Sequence, residues 1–556
     1  MPNICKKCQN TFEMQKEDAD FLEKISPVFQ HKKFLIKHPA LCEICREQRR
    51  MMFRNERHLY HRKCDRTGKQ MISMYRPDAP FPVYSPSAWF SDEFDGKDFG
   101  RDFDFNRPFF EQFIELRNSV PHLSLISSNN ENSDFCNVVG NSKNCYLIYG
   151  SINCENCYYG SPFNCKDTAD TLLLRNSELC IECMDSTNLY NAYFCQNCGY
   201  SQNLRFCLNV QNSNDCFACI GLNHKKFCIL NEQFSEDSYK KIVNEFEKKG
   251  FSTIQEILKK LEELNLKVPH RAYIGTNNQN VSGDYIWNSK NAYHVYNIAQ
   301  CEDVKYGTQL LKAKDCMDVD YGEIGELLYN FMGFYNNVSR SIFCFFCWDN
   351  IHDLLYCAHC TQGVRNCFGC VGLKRSEYCI LNKQYTKEEY ETLLPKIIEH
   401  MRHTGEWGEF FGSDVTSFYY NETVANEYFP ITLEEARNQK WRWMEEENGN
   451  QYHGPKIQLK NSIFETSDDV CKYILECEIS GKPYKIIPQE LKLLRKLNCP
   501  PPRISHDQRH MNRLRKRNLR KLFQRSCAKC AQKIETTFAP NRKEIIYCED
   551  CYLRDL

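Results

Sequence analysis

Two sets of four cysteines have the spacing of metal ligands. Cys5-x-x-Cys8 is followed by Cys42-x-x-Cys45 near the start of the chain, and Cys527-x-x-Cys530 is followed by Cys548-x-x-Cys551 near its end. Two such pairs, each on a short turn, typically form a tetrahedral four-thiolate zinc site. The sequence therefore predicts two zinc ribbons and two Zn²⁺ ions per chain.

The two ends of the chain are copies of one module, because Cys64 to Tyr84 align with Cys527 to Tyr547 without a gap. Each copy has one complete and one dismantled ribbon. In the dismantled ribbons the ligand positions hold other residues: Thr67, Ser85 and Ala88 near the start, and Ser480, Ser505 and Gln508 near the end. We interpret Cys64 and Cys477, the thiols that remain there, as leftovers of lost metal sites.

Each module also carries a run of cations with a helical pattern, which predicts a helix over residues 45–63 in the N-terminal copy. The cations in register between the copies are Arg46, Arg50, Arg54 and Arg57 with Arg509, Arg513, Arg517 and Arg520, and Lys516 lies among them. A guanidinium group can donate two hydrogen bonds to one phosphate. We therefore predict that these helices bind nucleic acid, with RNA favoured; a solvated face and an acidic protein partner are the alternatives.

Length and cysteine content limit the class of protein. A chain of 556 residues can bury several cores, and 72 basic residues balance 72 acidic ones. With 34 cysteines, a secreted disulfide scaffold is the competing explanation. The first residues have no apolar signal-peptide core, and no run of about 18 or more apolar residues could span a membrane. We therefore expect a cytoplasmic protein with reduced thiols and no membrane partner.

The middle of the chain repeats. Cys195, Cys198 and Cys207 recur in the same spacing as Cys216, Cys219 and Cys228, with turn residues between short alternating segments. A period on the order of 20 residues predicts a β-solenoid or a related stack of short strands. The repeats are themselves duplicated, since NSKNCY at 141–146 recurs as NSKNAY at 288–293, and each half ends in a helical arm.

The predicted fold is mixed and β-rich, with duplicated cysteine-rich, solenoid-like repeats and helical arms bracketed by terminal zinc-ribbon modules. The predicted segments are an N-terminal module (1–90), an acidic and aromatic linker (91–130), a first repeat half with its arm (131–268), a second repeat half with its arm (269–403), a linker (404–470) and a C-terminal module (471–556).

The repeat cysteines allow two interpretations: a row of metal sites, or a buried ladder in which cysteine is a small apolar residue. The ladder is favoured because Cys145 is replaced by Ala292 and Cys157 by Val304 in the second half. Losing one ligand of a metal site would leave a buried thiolate without its charge partner, whereas these changes are mild in a packed row.

Four stretches support a resemblance to a family: FRNERHLYHRKC, SMYRPDAPFPVY, GRDFDFNRPFFEQF and NETVANEYFP. With the ribbon and basic-helix ends, they resemble uncharacterised cysteine-rich zinc-ribbon proteins of candidate-phylum (Patescibacteria-type) bacteria. The resemblance covers nearly the whole chain and implies zinc binding. Some members carry a CaiB/BaiF label, but no residue pattern in this chain supports that activity.

Together these features predict a zinc-binding, non-enzymatic protein that binds nucleic acid through its paired basic helices. A protein-interaction scaffold is the alternative. An enzyme with a thiol or metal site in the repeats is the third possibility.

Overall fold

The structure is a computed structural model that describes residues 3–445, 454–455 and 457–555. Residues 446–453 and 456, in the predicted linker over 404–470, lie outside the described residues. The chain forms two compact units, and neither is one continuous stretch. The first unit comprises Met1–Ser124, Tyr273–Met444 and Arg520–Leu522, and the second comprises Leu125–Ala272, Glu445–Leu519 and Phe523–Leu556. The N-terminal module therefore shares a unit with the second repeat half.

A large sheet dominates each unit, which confirms a mixed, β-rich fold. The nine strands of the first unit's sheet are Gly275–Thr276, Gln279–Trp287, Lys290–Ala299, Glu302–Lys305, Thr308–Ile342, Ile351–Leu355, Arg365–Phe368, Glu377–Ile380 and Lys383–Gln384. The eleven strands of the second unit's sheet are Ser127–Ser128, Asn137–Gly140, Tyr146–Ile152, Glu155–Phe163, Lys166–Arg175, Glu178–Ile181, Thr187–Tyr193, Gly199–Arg205, Asn214–Phe217, Lys226–Ile229 and Glu232–Gln233. Neighbouring strands pair in parallel, except for the last pair of each sheet.

The register between neighbouring strands corrects the predicted repeat length. Leu204 pairs with Cys216, and Cys216 pairs with Cys228 on the next strand. The repeat is therefore 12 residues here and 11 or 13 between some other strand pairs, and a period on the order of 20 is wrong. The error arose because a Cys-x-x-Cys pair occupies two inward positions of a single repeat. That these sheets form a solenoid stays a prediction.

The backbone explains why asparagine precedes so many of the cysteines. Left-handed residues recur at about every third position of the repeats, and Asn144, Asn153 and Asn156 have φ between 53° and 54°. Asparagine tolerates this conformation better than most residues. The buried residue that follows each of these three is a cysteine. The amide side chains also bond along the stack, as Asn144 Nδ2 does to Asn156 Oδ1 over 3.3 Å.

Serine and cysteine have the same role at the inward positions. Ser142 Oγ donates to the carbonyl of Gly140 (2.9 Å) and accepts the N–H of Cys154 from the next repeat (3.1 Å). The thiol of Cys154 donates in turn to the carbonyls of Ile152 (3.3 Å) and Pro162 (3.4 Å). All 22 cysteines between residues 136 and 379 are buried. Their thiols are weak donors that cap backbone carbonyls, which supports the buried ladder.

Twelve α-helices surround the sheets in the described chain. In chain order they are α1 (Lys16–Ile25), α2 (Glu43–Met51), α3 (Pro86–Trp89), α4 (Phe109–Ser119), α5 (Glu236–Lys249), α6 (Phe251–Asn265), α7 (Lys387–His403), α8 (Val424–Tyr428), α9 (Leu433–Asn438), α10 (Pro488–Lys496), α11 (His506–Arg515) and α12 (Glu549–Arg554). None of these helices is long and apolar enough to cross a lipid bilayer. Helices α6 and α7 are the predicted arms.

The helix predicted over residues 45–63 is wrong beyond Met51. Helix α2 ends there, and Tyr60–Lys63 forms a strand that pairs with Gln70–Ser73 as a hairpin. The cations between these elements, Arg54 and Arg57, have the spacing of a helix, but the backbone there is not helical. Backbone pairing in the dismantled ribbon decides the local structure instead.

Replacing Cys154 by serine tests the role of the inward thiols. Because Ser142, one repeat earlier, donates to the carbonyl two residues before it as the Cys154 thiol does, Cys154→Ser should change the free energy of unfolding by less than about 1 kcal/mol. Ile148→Ser in the same core should cost about 3 kcal/mol or more, since it leaves a void and a buried hydroxyl. Denaturant titration of both variants measures the difference; equal losses would contradict the shared role.

Candidate metal centres and the buried arginines

The N-terminal quartet of cysteines is assembled by a turn and a helix. Cys5 N donates to Asn10 O (2.9 Å), and Gln9 N returns to Cys5 O (3.0 Å) with Gln9 in the left-handed conformation. Cys42 is the N-cap of α2, and Cys45 lies in the helix's first turn. The Cys45 thiol, followed by its backbone N–H, lowers the pKa of Cys42 to about 5 despite burial. These donors favour a thiolate.

The C-terminal quartet repeats this construction. Cys527 N donates to Gln532 O (2.8 Å), and Ala531 N returns to Cys527 O (2.9 Å). Cys548 is the N-cap of α12. Burial raises the pKa of Cys527, but backbone N–H groups led by that of Cys548 outweigh it and bring the value to about 6.

The sulfur positions fit a tetrahedral ion. In each quartet all four sulfurs lie within 4.8 Å of one another. Metal–sulfur bonds of about 2.3 Å would place tetrahedral sulfurs about 3.8 Å apart. The distance between Cys8 Sγ and Cys42 Sγ is 3.7 Å, as is that between Cys530 Sγ and Cys548 Sγ. Two metal ions per chain are therefore consistent with the structure.

The dismantled ribbons keep the backbone of the turn without the ligands. Gly68 N donates to Cys64 O (2.8 Å), and Gly481 N donates to Cys477 O (2.9 Å), as in the complete ribbons. Ser505 stands as the N-cap of α11, where the complete ribbons have a cysteine. Burial raises the pKa of Cys64, but donors led by the Thr67 hydroxyl lower it to about 7. This shared geometry supports the interpretation of Cys64 and Cys477 as remnants.

The repeat cysteines form no comparable cluster. Over residues 3–445, 454–455 and 457–555, the two terminal quartets are the groups in which three or more ligand atoms come this close. A metal site in the repeats, one form of the third possibility, therefore has no geometric support among these residues, and the thiol form stays a prediction.

The arginines predicted to bind phosphate point instead into the protein. Arg46 (1% exposed) and Arg50 (0%) lie on α2 against the first unit's sheet. Arg46 Nε bonds Asp318 Oδ2 at 2.7 Å, and Arg50 Nη1 lies 3.1 Å from Asp318 Oδ1. Arg50 Nε also bonds Asp320. These buried charges are therefore neutralised within the unit.

The second unit has the same arrangement. Arg509 and Arg513 lie on α11 and are 5% and 1% exposed. Arg509 Nη2 lies 2.9 Å from Asp170 Oδ2, and Arg513 Nη1 lies 2.9 Å from Glu182 Oε2. Arginines that are in register in the sequence thus perform the same task, which is to hold a helix on a sheet.

The remaining predicted cations are mostly paired as well. Their ion pairs are Arg54 with Glu56, Arg57 with Glu427, Arg517 with Asp185, and Arg520 with Glu47. Of the nine predicted residues, Lys516 is the exposed one. The other eight are buried or half-buried, and carboxylates of the same unit pair with them, so they do not form the solvated face considered as an alternative. That these helices bind nucleic acid stays a prediction.

Sequence reasoning missed the carboxylates. Asp318 and Asp320 alternate with apolar residues in CMDVDYG, and Asp170 interrupts the apolar run of TADTLLL. An acidic residue inside a buried strand needs a cationic partner. An acidic residue within an apolar strand pattern therefore indicates an internal ion pair, and this signal was present in the sequence.

Comparisons with known proteins do not assign a family. No family model matches, and no curated protein matches. Among solved structures, there is similarity to a protein described as a "putative acetyltransferase" from Desulfovibrio desulfuricans G20, at 7% identity, covering 50% of this chain and 81% of that one. The TM-score is 0.10, so this similarity carries no argument about fold or activity.

Metal content tests the quartets. Elemental analysis of the purified full chain should find two metal ions per molecule. Cys530→Ser should reduce this to one, because three thiolates do not close a tetrahedral structural site. Cys477→Ser is the control and should retain two. Unchanged metal content in Cys530→Ser would contradict the C-terminal site.

Removing one buried arginine tests the internal pairs. Arg50→Ala leaves Asp320 buried without its charge partner, and the free energy of unfolding should fall by about 3–5 kcal/mol. Arg513→Ala should be similarly costly in the second unit. Arg340, whose pair with Asp353 is largely exposed, provides the control, and Arg340→Ala should have little effect. Denaturant titration compares the three; equal effects would contradict this view.

Proposed function

We propose that the protein is a zinc-binding, non-enzymatic interaction scaffold. Zinc is the ion that four-thiolate ribbons of this spacing take most commonly. Its role would be structural, since each quartet joins a turn to a helix and offers no open coordination position. The two sheets would serve as rigid supports for the ribbons.

The observation that carries this proposal is the burial of the arginines. Arg50 and Arg513 neutralise carboxylates of their own units, so they are not available to a long polyanion. Mutual ion pairing fixes the modules to the sheets, which suits a scaffold. The parallel pairing, with repeats of 11 to 13 residues in the two sheets, also supports two solenoids as the rigid bodies.

Nucleic-acid binding is the second candidate, through different residues. The C-terminal module has cations that are exposed: Arg515, Lys516, Lys533, Lys543 and Arg554. Exposed cations bind RNA phosphate with a strong salt dependence. The same surface would suit an acidic protein partner of the scaffold.

Charge reversal at Arg515 and Lys516 distinguishes the two functions. Binding of a fluorescent single-stranded RNA is followed by anisotropy at several salt concentrations. If RNA is the partner, affinity falls with salt, and Arg515→Glu/Lys516→Glu abolishes binding at physiological salt. The control, Lys225→Glu/Lys226→Glu, makes the same charge change at another exposed site of the second unit.

The scaffold proposal expects no saturable RNA binding at physiological salt. Partner proteins that co-purify with the tagged wild type should then stay bound after RNase treatment. The Arg515→Glu/Lys516→Glu variant should no longer capture them. Saturable RNA binding that this variant removes would overturn the proposal in favour of the second candidate.

A further inference from the structure

The second unit contains a cavity of about 50 Å³ that neither the ribbons nor the proposed scaffold role explains. It lies where α6, α10 and the segment of residues 499–502 meet the sheet. Its walls include Phe194, Ile254, Leu494, Glu490 and Arg509, together with three consecutive prolines at 500–502. Most of these residues are apolar, and the ionisable ones belong to a single buried cluster.

That cluster has one negative charge in excess. Asp170, Glu182 and Glu490 supply three carboxylates, whereas Arg509 and Arg513 supply two guanidinium groups. Arg509 Nη2 lies 2.9 Å from both Asp170 Oδ2 and Glu490 Oε1. Arg513 Nη1 lies 2.9 Å from Glu182 Oε2 and 3.3 Å from Asp170 Oδ1. Lys516 acts on Glu182 only from an exposed position, where water screens its charge.

One carboxylate oxygen of Glu490 has no hydrogen-bond partner in the part of the chain that the structure describes. Its side chain is 2% exposed, and Oε1 is bound by Arg509, but Oε2 has no hydrogen-bond partner among the described residues. A buried carboxylate oxygen without a donor is costly. The three prolines beside it supply no N–H group. Burial raises the pKa of this carboxyl, whereas the Arg509 guanidinium and the backbone N–H of Ile487 both lower it. Arg509 Nε is itself without a hydrogen-bond partner in the described chain, so what the cavity lacks is a donor that reaches Oε2.

We propose that this cavity binds a small primary alkylammonium ion. The ammonium group would donate to Glu490 Oε2 and supply the missing charge. Its alkyl part would contact the apolar wall of Phe194, Ile254 and Leu494. The volume suits one to three carbon atoms within the cavity. A compact metal ion fits less well, because the guanidinium groups already occupy the other carboxylates and the opposite wall is apolar.

The competing state is an empty cavity in which a proton on Glu490 makes the cluster neutral. Burial raises the pKa of Glu490 to about 7 against the lowering effect of Arg509, so a proton on this carboxyl could also remove the excess charge. The two states differ in one measurable respect. Only an ammonium ion gives saturable binding that depends on both its charge and its alkyl chain.

The test is calorimetric titration of the full-length, metal-loaded protein with ethylammonium chloride at pH 8 and constant ionic strength. Sodium chloride and ethanol are the matched probes for charge without an alkyl group and for an alkyl group without charge. We expect saturable binding of one ethylammonium ion per chain and no binding of either probe. Absence of saturable binding, or equal binding of ethanol, overturns the proposal.

Variants locate the site. Glu490→Gln should weaken ethylammonium binding about tenfold or more, as expected for losing a hydrogen bond to a charged group. Glu478→Gln, a change at an exposed carboxylate of the same unit, should not affect it. If Glu490→Gln fails to fold, Leu494→Phe decides, since it fills the cavity from α10 and should abolish binding while metal content stays at two. Unchanged binding in Leu494→Phe places the ion elsewhere and overturns the proposal.

Discussion

The buried pairing of arginine with aspartate is the interaction on which both units depend. A carboxylate inside a sheet core is tolerated only when a cation reaches it, and a buried guanidinium group has the same need. In the first unit Asp318 lies between Arg46 and Arg50, and in the second unit Asp170 lies between Arg509 and Arg513. Each sheet therefore requires its basic helix, and each helix requires its sheet. The cysteine quartets, which could hold metal ions, lie in the same terminal modules as these helices.

The inner faces of the sheets satisfy a different constraint. Left-handed residues turn the backbone so often that amides and carbonyls would lack partners along the core. Serine hydroxyls and cysteine thiols fill that need at the inward positions, as Ser142 and Cys154 show. Cysteine combines this weak hydrogen bonding with the packing of a small apolar residue. Its abundance here therefore reflects backbone geometry as well as the two quartets that could hold metal.

Much of the local chemistry was predictable from the sequence, and the long-range arrangement was not. The two quartets were identifiable because ligand spacing is fixed by tetrahedral geometry, and the remnants at Cys64 and Cys477 followed from the alignment of the modules. The repeat length was misjudged because Cys-x-x-Cys has two physical meanings in this chain: a metal-binding turn at the ends and two inward positions in the middle. The arginines were misplaced because their partners, such as Asp318, lie about 270 residues away. Periodicity within a segment carries no information about such pairs.

The interleaved order of the segments has a consequence for biosynthesis. Asp170 is made early, but its partner Arg513 lies 343 residues later in the chain. At a ribosomal rate of about 5–20 residues per second, the nascent first repeat half waits roughly 20–70 s for its cation. During that interval its carboxylates must stay hydrated or protonated, and the apolar surface beside them remains uncovered. Completion of the second unit therefore waits for the C-terminal module, and until then all eleven strands of its sheet are made but their buried carboxylates lack a cation.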